Sequence, residues 1–108
     1  MINKIFKASG IPYRQGRYVN PPAKTYGIYF DGLEVSGPDP FPGVPRIVRH
    51  DLMVELYEPK PDPEAEAKFE AALNAEGIHW TKQDRYWLQS AQRYQVVYEF
   101  YYFEKRRD

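Results

Sequence analysis

Residues 62–103 decide the fold, and they read DPEAEAKFEAALNAEGIHW at 62–80 and RYQVVYEFYYF at 93–103. The first segment has the apolar spacing of an amphipathic helix, whereas the second alternates between two faces as a strand does. A helix with one apolar face and a sheet with an apolar face bury that surface by packing on each other. The stretch therefore predicts a domain that combines helices with a sheet.

The helix has signals at both ends. Asp62 suits the N-cap and Pro63 the first helical position. Gly77 can end the helix in a left-handed conformation, which lets Ile78 contact Leu73. The apolar stripe consists of Ala65, Phe69, Ala72 and Leu73. The acidic residues of this segment alternate with alanine and lysine, which predicts a solvated face and gives no support for paired carboxylates in acid–base chemistry.

Three strands are expected around this helix, at 46–57, 78–87 and 93–104, with a turn at 89–92. In the first, leucine and valine alternate with other residues, as in a sheet that is covered on one side. The last strand is apolar or aromatic on both faces. Such a strand lies in the centre of a sheet, or a partner covers one of its faces.

The N-terminal third predicts shorter elements. Ile2, Ile5 and Phe6 share one face of a short helix that Gly10 can end. A strand with an irregularity near Gly16 is expected next. The segment TYGIYF (25–30) predicts another strand, which ends at a tight Asp31-Gly32 turn and returns through 33–35.

The whole chain is expected to be a single domain, 1–108, of the α+β class. Its sheet is predicted to be antiparallel or mixed, with a short N-terminal helix and a central helix (about 62–76) packed on one face. The segment SGPDPFPGVP (36–45) is a stiff loop, because four prolines and two glycines cannot continue a sheet ladder. Its Phe41 either folds back onto the domain or contacts another subunit. Residues 105–108 form a charged tail.

Composition narrows the class of protein. Hydrophobic residues make up 43% of the chain, which excludes general disorder. Basic and acidic residues balance at 15 each, so no global field attracts nucleic acid or an acidic membrane. The chain has no cysteine, which excludes disulfides and thiolate metal sites. It shows no signal peptide and no apolar run long enough to span a membrane, so we expect a soluble protein made inside the cell.

Catalytic signals are lacking in the sequence. The two histidines, His50 and His79, are not at metal-binding spacing, and His50 and Asp51 are expected on opposite faces of a strand. Ser9, Ser36 and Ser90 are the only serines, and none lies in a nucleophile motif. Phosphate-binding glycine loops are also missing. We therefore expect no enzyme activity, no metal and no cofactor.

Two binding functions remain open. Ten tyrosines and six phenylalanines are more than a minimal core of this size requires, and aromatic residues are typical of protein interfaces. The same rings could stack on single-stranded nucleic acid, with arginines for charge. Acidic residues interleave with those arginines, however, which favours protein–protein assembly over a nucleic-acid or peptide binding module.

Four segments carry a resemblance to a known family: GIPY (10–13), TYGIYFDG (25–32), RHDLMVELYEPKPDPEAEAKFEAALNAEGIHW (49–80) and YQVVYEFYYFEK (94–105). Together they resemble the small tail-terminator and tail-completion proteins of long-tailed bacteriophages and prophages, over nearly the whole chain. The resemblance implies an α+β fold and a structural role in the virion. It implies no catalytic residues.

Such proteins assemble into rings, commonly hexamers, that cap the tail tube and meet the head–tail connector. The expected partners are therefore other copies of this chain, the tail tube protein and the connector protein, with DNA passing only through the ring. The resemblance points to Asp39, Phe41 and Arg46 as subunit or lumen contacts, and the aromatic strand adds Tyr101 and Phe103. The implied location is the host bacterial cytoplasm during assembly, and then the neck or tail of the virion.

Overall fold

The computed structural model describes residues 1–35 and 46–106. Within these residues the chain forms two helices and six strands. In chain order the elements are α1 (Ile2–Ser9), β1 (Tyr13–Gln15), β2 (Tyr26–Val35), β3 (Arg46–Glu58), α2 (Pro63–Ala75), β4 (Trp80–Lys82), β5 (Tyr86–Leu88) and β6 (Arg93–Arg106). No helix in this part of the chain is long and apolar enough to cross a membrane.

All six strands belong to one mixed sheet in the order β1-β2-β3-β6-β4, and β5 also pairs with β6. The pair β1 and β2 is parallel, whereas the other neighbouring strands are antiparallel. The two longest strands, β3 and β6, have 13 and 14 residues and form the centre of the sheet. Both helices pack against one face. The structure thus confirms the α+β prediction, with a short N-terminal helix and a central helix.

The ends of α2 agree with the sequence signals. The Asp62 carboxylate accepts a hydrogen bond from the Ala65 amide at 3.1 Å, which makes it the N-cap. At the other end Gly77 has φ of 68°, and the Ile78 amide donates to the Leu73 carbonyl at 3.1 Å. This closure satisfies carbonyls that would otherwise lack a donor at the helix end.

Helix α1 ends as predicted at Gly10, which has φ of 73°. Gly16 follows β1 with φ of 79°, which confirms the irregularity expected there. The buried ring of Phe6 stacks on Tyr13 with 4.5 Å between centroids. Phe6 also lies against Gly27 of β2, where a β-carbon would stand 2.6 Å from the Phe6 ring. The missing side chain of Gly27 is therefore what lets α1 approach the sheet.

The predicted tight turn at Asp31-Gly32 is wrong, because β2 runs through both residues as a single strand. All ten residues of β2 pair with β3, and Asp31 lies opposite Leu52. The Asp31 carboxylate is held by the His50 ring at 2.7 Å instead of by a local turn. One glycine costs a strand only about 0.5–1 kcal/mol, which an uninterrupted ladder of this length outweighs.

The single strand predicted at 78–87 is in fact two short strands, β4 and β5. Trp80 lies opposite Phe100, and Tyr86 lies opposite Gln95. From Trp80 to Tyr86 the chain therefore advances six residues, whereas the paired positions on β6 advance only five. That shift in register breaks the ladder at 83–85. The turn at 89–92 is confirmed.

Strand β6 continues to Arg106, so the first two residues of the predicted charged tail belong to the sheet. Residues 107–108 lie outside the described part of the chain, as does the predicted loop 36–45.

The core lies between the helices and one face of the sheet. Its fully buried members come from both helices and from the two central strands, and include Ile5, Phe6, Val54, Leu56, Phe69, Leu73, Val96 and Tyr98. This layer contains the predicted stripe residues Phe69, Ala72 and Leu73, with Ala65 half-buried beside them. The opposite face of the sheet has no helix on it in the described residues.

Candidate assembly surface

The sheet has two chemically different faces because side chains alternate along each strand. In β3, Leu52, Val54 and Leu56 face the helices and are buried. Met53 lies between them on the other face and is exposed. We call this second face the open face.

The open face carries large apolar side chains in contact with solvent. Among the described residues, those exposed on it are Phe30, Ile47, Met53, Tyr86, Tyr101 and Phe103. Their exposed fractions range from 38% at Met53 to 58% at Phe103. They come from four adjacent strands, and Phe30, Met53 and Tyr101 lie close enough together to line one trough. Contiguous apolar surface of this kind marks interaction sites on soluble proteins.

Two of the five predicted interface residues lie on this face. Tyr101 and Phe103 contact each other edge to face, with 5.8 Å between ring centroids. The guanidinium of Arg49 lies 4.3 Å from the centroid of Tyr101, which combines a cation with an aromatic ring, as interfaces commonly do. Strand alternation in the sequence located these two rings correctly, whereas Phe30 and Met53 were not singled out because their strands looked less aromatic.

The other three predicted interface residues are Asp39, Phe41 and Arg46. Asp39 and Phe41 lie outside the described residues. Arg46 is the first residue of β3, where it pairs with Arg106 at the end of the sheet. The structure therefore assigns Arg46 a strand position and leaves its predicted contact a prediction.

An open trough with a volume of about 580 Å³ lies on this face. Phe30, Met53, Thr81 and Tyr101 line it, and Glu99 provides a carboxylate at the same site. The trough is mostly apolar, and Asp51 adds a second carboxylate to its lining, so it can receive an apolar side chain of a partner and pair with a cation.

The prediction that the acidic residues of the central helix form a solvated face is wrong for Glu66. This carboxylate is buried, and so is Glu58 at the end of β3, with exposed fractions of 3% and 0%. Arg85 bridges them, with its Nε 3.1 Å from Glu58 Oε1 and a terminal nitrogen bonded to Glu66. Lys82 binds the other oxygen of Glu66 at 2.8 Å. Arg85 lies in the break between β4 and β5, which the sequence did not reveal.

The two carboxyls have opposite pKa shifts. Burial, and then the hydrogen bond to Glu66, raises the pKa of Glu58 from 4.5 to about 7. Burial alone would also raise the pKa of Glu66, but hydrogen bonds from Glu58, Lys82 and Arg85 lower it to about 2. Glu58 Oε2 is buried and has no donor among the described residues. Burial of this oxygen without a donor favours the protonated, neutral form of the Glu58 carboxyl.

The charged network continues along α2. Lys82 also binds Glu70 at 2.7 Å, and the hydroxyl of Tyr98 donates to the same carboxylate at 2.6 Å. Burial raises the pKa of Tyr98, which keeps this hydroxyl protonated. Each oppositely charged group thus has its partner within the fold, so the network is suited to holding β4 and the 83–85 segment against α2.

His50 is more buried than the sequence suggested, whereas His79 is exposed as an ordinary surface residue. The ring of His50 stacks on Tyr102, its Nδ1 lies 2.7 Å from Asp31, and its Nε2 lies 3.6 Å from Glu104. As predicted, Asp51 lies on the other face of β3. The two ring nitrogens face carboxylates on separate sides, so this arrangement ties the end of β2 to β6.

Within residues 1–35 and 46–106, no group of three or more histidine, aspartate or glutamate side chains is placed to hold a metal ion. No protein-family model and no curated protein matches this chain. The function is therefore inferred from the residues and their arrangement.

Proposed function

We propose that the protein is a structural subunit that assembles with copies of itself, and that it serves as a tail terminator or a related neck or minor tail component of a phage or prophage. The observation that carries the proposal is the open face. A sheet that buries one side under two helices leaves its other side covered with exposed phenylalanine, tyrosine, isoleucine and methionine. Water contact with that much apolar surface is unfavourable, and a neighbouring subunit would remove it.

The kind of residue on this face supports a protein partner. Interfaces are enriched in tyrosine, phenylalanine, methionine and arginine, and Met53, Tyr101, Phe103 and Arg49 meet here. Arg49 is also paired with Asp51 at 2.8 Å, so its charge is already compensated on the surface. A single-stranded nucleic acid would be drawn by unpaired positive charge, and the acidic Glu55, Glu99 and Asp51 share this face.

The resemblance to tail terminators adds the form of the assembly. In that role the copies form a ring, commonly a hexamer in that family, that docks on the end of the tail tube and meets the head–tail connector. DNA would then contact the protein only by passing through the ring. The protein would be found in the host bacterial cytoplasm during assembly and afterwards in the virion.

The mass of the protein over a concentration series tests this proposal. Sedimentation velocity is expected to show a transition from monomer to a defined oligomer, and negative-stain electron microscopy is expected to show rings. Met53→Ser, which removes an apolar side chain from the middle of the open face, should weaken association about 30-fold, as loss of an interface anchor worth about 2 kcal/mol does.

Val19→Ser is the matched control, because Val19 is 77% exposed but lies outside the sheet. It should associate like the wild type. Tail tubes assembled from purified tube protein provide a second readout, since the wild type should co-sediment with them. A protein that stays monomeric at every concentration and does not co-sediment with tail tubes would show that the proposed function is wrong.

A further inference from the structure

Charge is distributed unevenly along the chain, although the totals balance. Residues 1–30 contain no acidic residue and five basic ones, which are Lys4, Lys7, Arg14, Arg17 and Lys24. The rest of the chain carries all 15 acidic residues and the other basic ones. A charge asymmetry of this kind indicates contact with a polyanion such as nucleic acid. Acidic residues thus interleave with basic ones only after residue 30.

Two of these five basic side chains lie beside acidic groups at the ends of α2. The ammonium of Lys4 pairs with Glu76 at 2.7 Å. Lys24 lines a small hollow together with Asp62 and Glu64. Carboxylates therefore lie close to both cations, and neither adds net positive charge to the surface around it.

The other three line two adjoining hollows at one edge of the sheet. Lys7 is in the last turn of α1, Arg14 is in the edge strand β1, and Arg17 follows that strand. Lys7 and Arg14 line a hollow of about 400 Å³, and Arg14 and Arg17 line one of about 270 Å³. No acidic residue among those that the structure describes lines either hollow. We call Lys7, Arg14 and Arg17, together with the rings of Tyr13 and Tyr18, the basic surface.

The three cations of the basic surface are available to a ligand. Their side chains are exposed, and none of them makes an ion pair within residues 1–35 and 46–106. The guanidinium of Arg14 lies 5.1 Å from the centroid of the Tyr18 ring, which positions it. The Gly16 amide donates to the Tyr29 carbonyl at 2.9 Å and fixes the backbone just before Arg17. Groups that are positioned in advance bind at a lower entropic cost.

We infer that the basic surface binds the phosphate backbone of duplex DNA. Exposed lysine and arginine side chains donate to phosphate oxygens and release counterions from the DNA, which is favourable and independent of sequence. This inference goes beyond the proposed function, because it concerns a different surface. None of the residues of the basic surface lines the trough, and β2 and β3 separate β1 from β6.

The rings of the basic surface favour a duplex over a single strand. Single-stranded nucleic acid binds by stacking its bases on exposed aromatic faces. One face of Tyr13 already lies on Phe6, with 4.5 Å between centroids, and Arg14 lies over Tyr18. Both tyrosines are half-buried. A duplex keeps its bases inside and presents phosphates, so it needs hydrogen-bond donors and not ring faces.

The net charge of zero does not oppose this binding. At 0.1 M salt, exposed charges that are more than about 10 Å apart are largely screened from each other. A phosphate in either hollow therefore interacts mainly with the cations that line it. If the copies assemble into a ring, each would present the same surface to DNA that passes through.

Fluorescence anisotropy with a labelled DNA duplex of mixed sequence tests the inference. We expect the logarithm of the association constant to fall with the logarithm of salt concentration with a slope of about −3, as for three phosphate contacts. Lys7→Gln and Arg17→Gln should each weaken binding about fivefold to tenfold and reduce the size of that slope by about one. Thermal melts check that both variants fold.

Lys60→Gln is the matched control. Lys60 is also exposed and makes no ion pair in the described part of the chain, but it lies outside the basic surface. This variant should bind the duplex like the wild type. No binding at about 50 mM salt, or equal binding by the wild type, Lys7→Gln and Arg17→Gln, would show that the inference is wrong.

Other anions identify the ligand. Tighter binding of the corresponding single strand than of the duplex would mean that bases stack on the tyrosine rings, and it would overturn the duplex assignment. Competition by polyglutamate that is as strong as competition by unlabelled duplex would indicate an acidic protein segment as the partner, and it would overturn the inference as well.

Sedimentation of the same variants separates this inference from the proposed function. Lys7→Gln and Arg17→Gln should assemble like the wild type. If they assemble poorly and bind DNA normally, the basic surface is a subunit contact and only this inference fails. A wild type that binds the duplex through these residues but never assembles, alone or on tail tubes, would overturn the proposed function and support the inference.

Discussion

Replacing Glu58 with glutamine is expected to make the free energy of unfolding nearly independent of pH between about pH 5 and pH 8. Glu58 Oε1 accepts from Arg85 at 3.1 Å and from the Asp62 amide at 3.3 Å, while its other oxygen is buried without a hydrogen-bond partner among the described residues. A glutamine has the same shape. Its carbonyl oxygen can accept from Arg85 and Asp62, and its amide is neutral at every pH, as the protonated carboxyl is below its pKa.

The magnitude follows from the pKa of Glu58, which is 4.5 ordinarily and about 7 in the fold. A raised pKa means that the folded state holds its proton more tightly, so this contribution is fully present below pH 4.5 and is lost as pH rises through about 7. Each pH unit between the two pKa values corresponds to about 1.4 kcal/mol, so the wild type should lose roughly 3 kcal/mol by pH 8.

Glu66 acts in the opposite pH range. Its pKa is lowered to about 2, so the stability it contributes is present above pH 4.5 and is lost as pH falls toward 2. Both contributions are present near pH 4.5, so the wild type should be most stable there. The variant should keep the acid limb of the profile and lose the limb above pH 5.

Urea unfolding followed by tryptophan fluorescence, at low protein concentration and at pH 5, 6, 7 and 8, measures the effect. Trp80 and Trp87 are the natural probes. Glu64→Gln is the matched control, since its side chain is 82% exposed on the same helix, and its profile should parallel the wild type. If the unfolding free energies of Glu58→Gln and the wild type fall in parallel from pH 5 to pH 8, Glu58 does not take up a proton on folding and the reasoning is refuted.

Two further predictions concern packing and assembly. Gly27→Ala should destabilise the fold by about 1–3 kcal/mol in urea unfolding, because the new β-carbon would stand 2.6 Å from the buried Phe6 ring. Gly32→Ala is the control, because the nearest atom to its new β-carbon would be 3.6 Å away. Equal losses of stability in the two variants would contradict the argument that α1 approaches Gly27 closely. Phe41→Ala is expected to weaken association in sedimentation experiments while the melting temperature hardly changes, and a collapse of stability would instead place Phe41 in the core.

The sequence predicted the elements whose signals are local. The capping residues of α2, the glycine stops at Gly10 and Gly77, and the two-residue period of β3 and β6 all act within a few residues of where they occur. For the same reason Tyr101 and Phe103 could be placed on one face of their strand before the rest of the sheet was known.

Other features depended on contacts between distant parts of the chain. Asp31-Gly32 has the composition of a turn, and only pairing with β3 along ten residues shows that it continues a strand. The register shift that splits 78–87 appears only against β6. The sequence also could not show that β1 and β4 pair with only three residues each of the longer strands beside them.

The amino-acid sequence by itself determined that this chain pairs amphipathic helices with an aromatic-rich sheet, because periodicity and capping are properties of neighbouring residues. Only the tertiary structure decided that Glu66 is buried near Glu58, eight positions earlier in the chain, and that Arg85 bridges them. Burial and pairing of charges depend on which elements meet in space. Alternating glutamate and alanine occur both in helices exposed to solvent and in helices packed on a strand, so this sequence pattern does not distinguish the two.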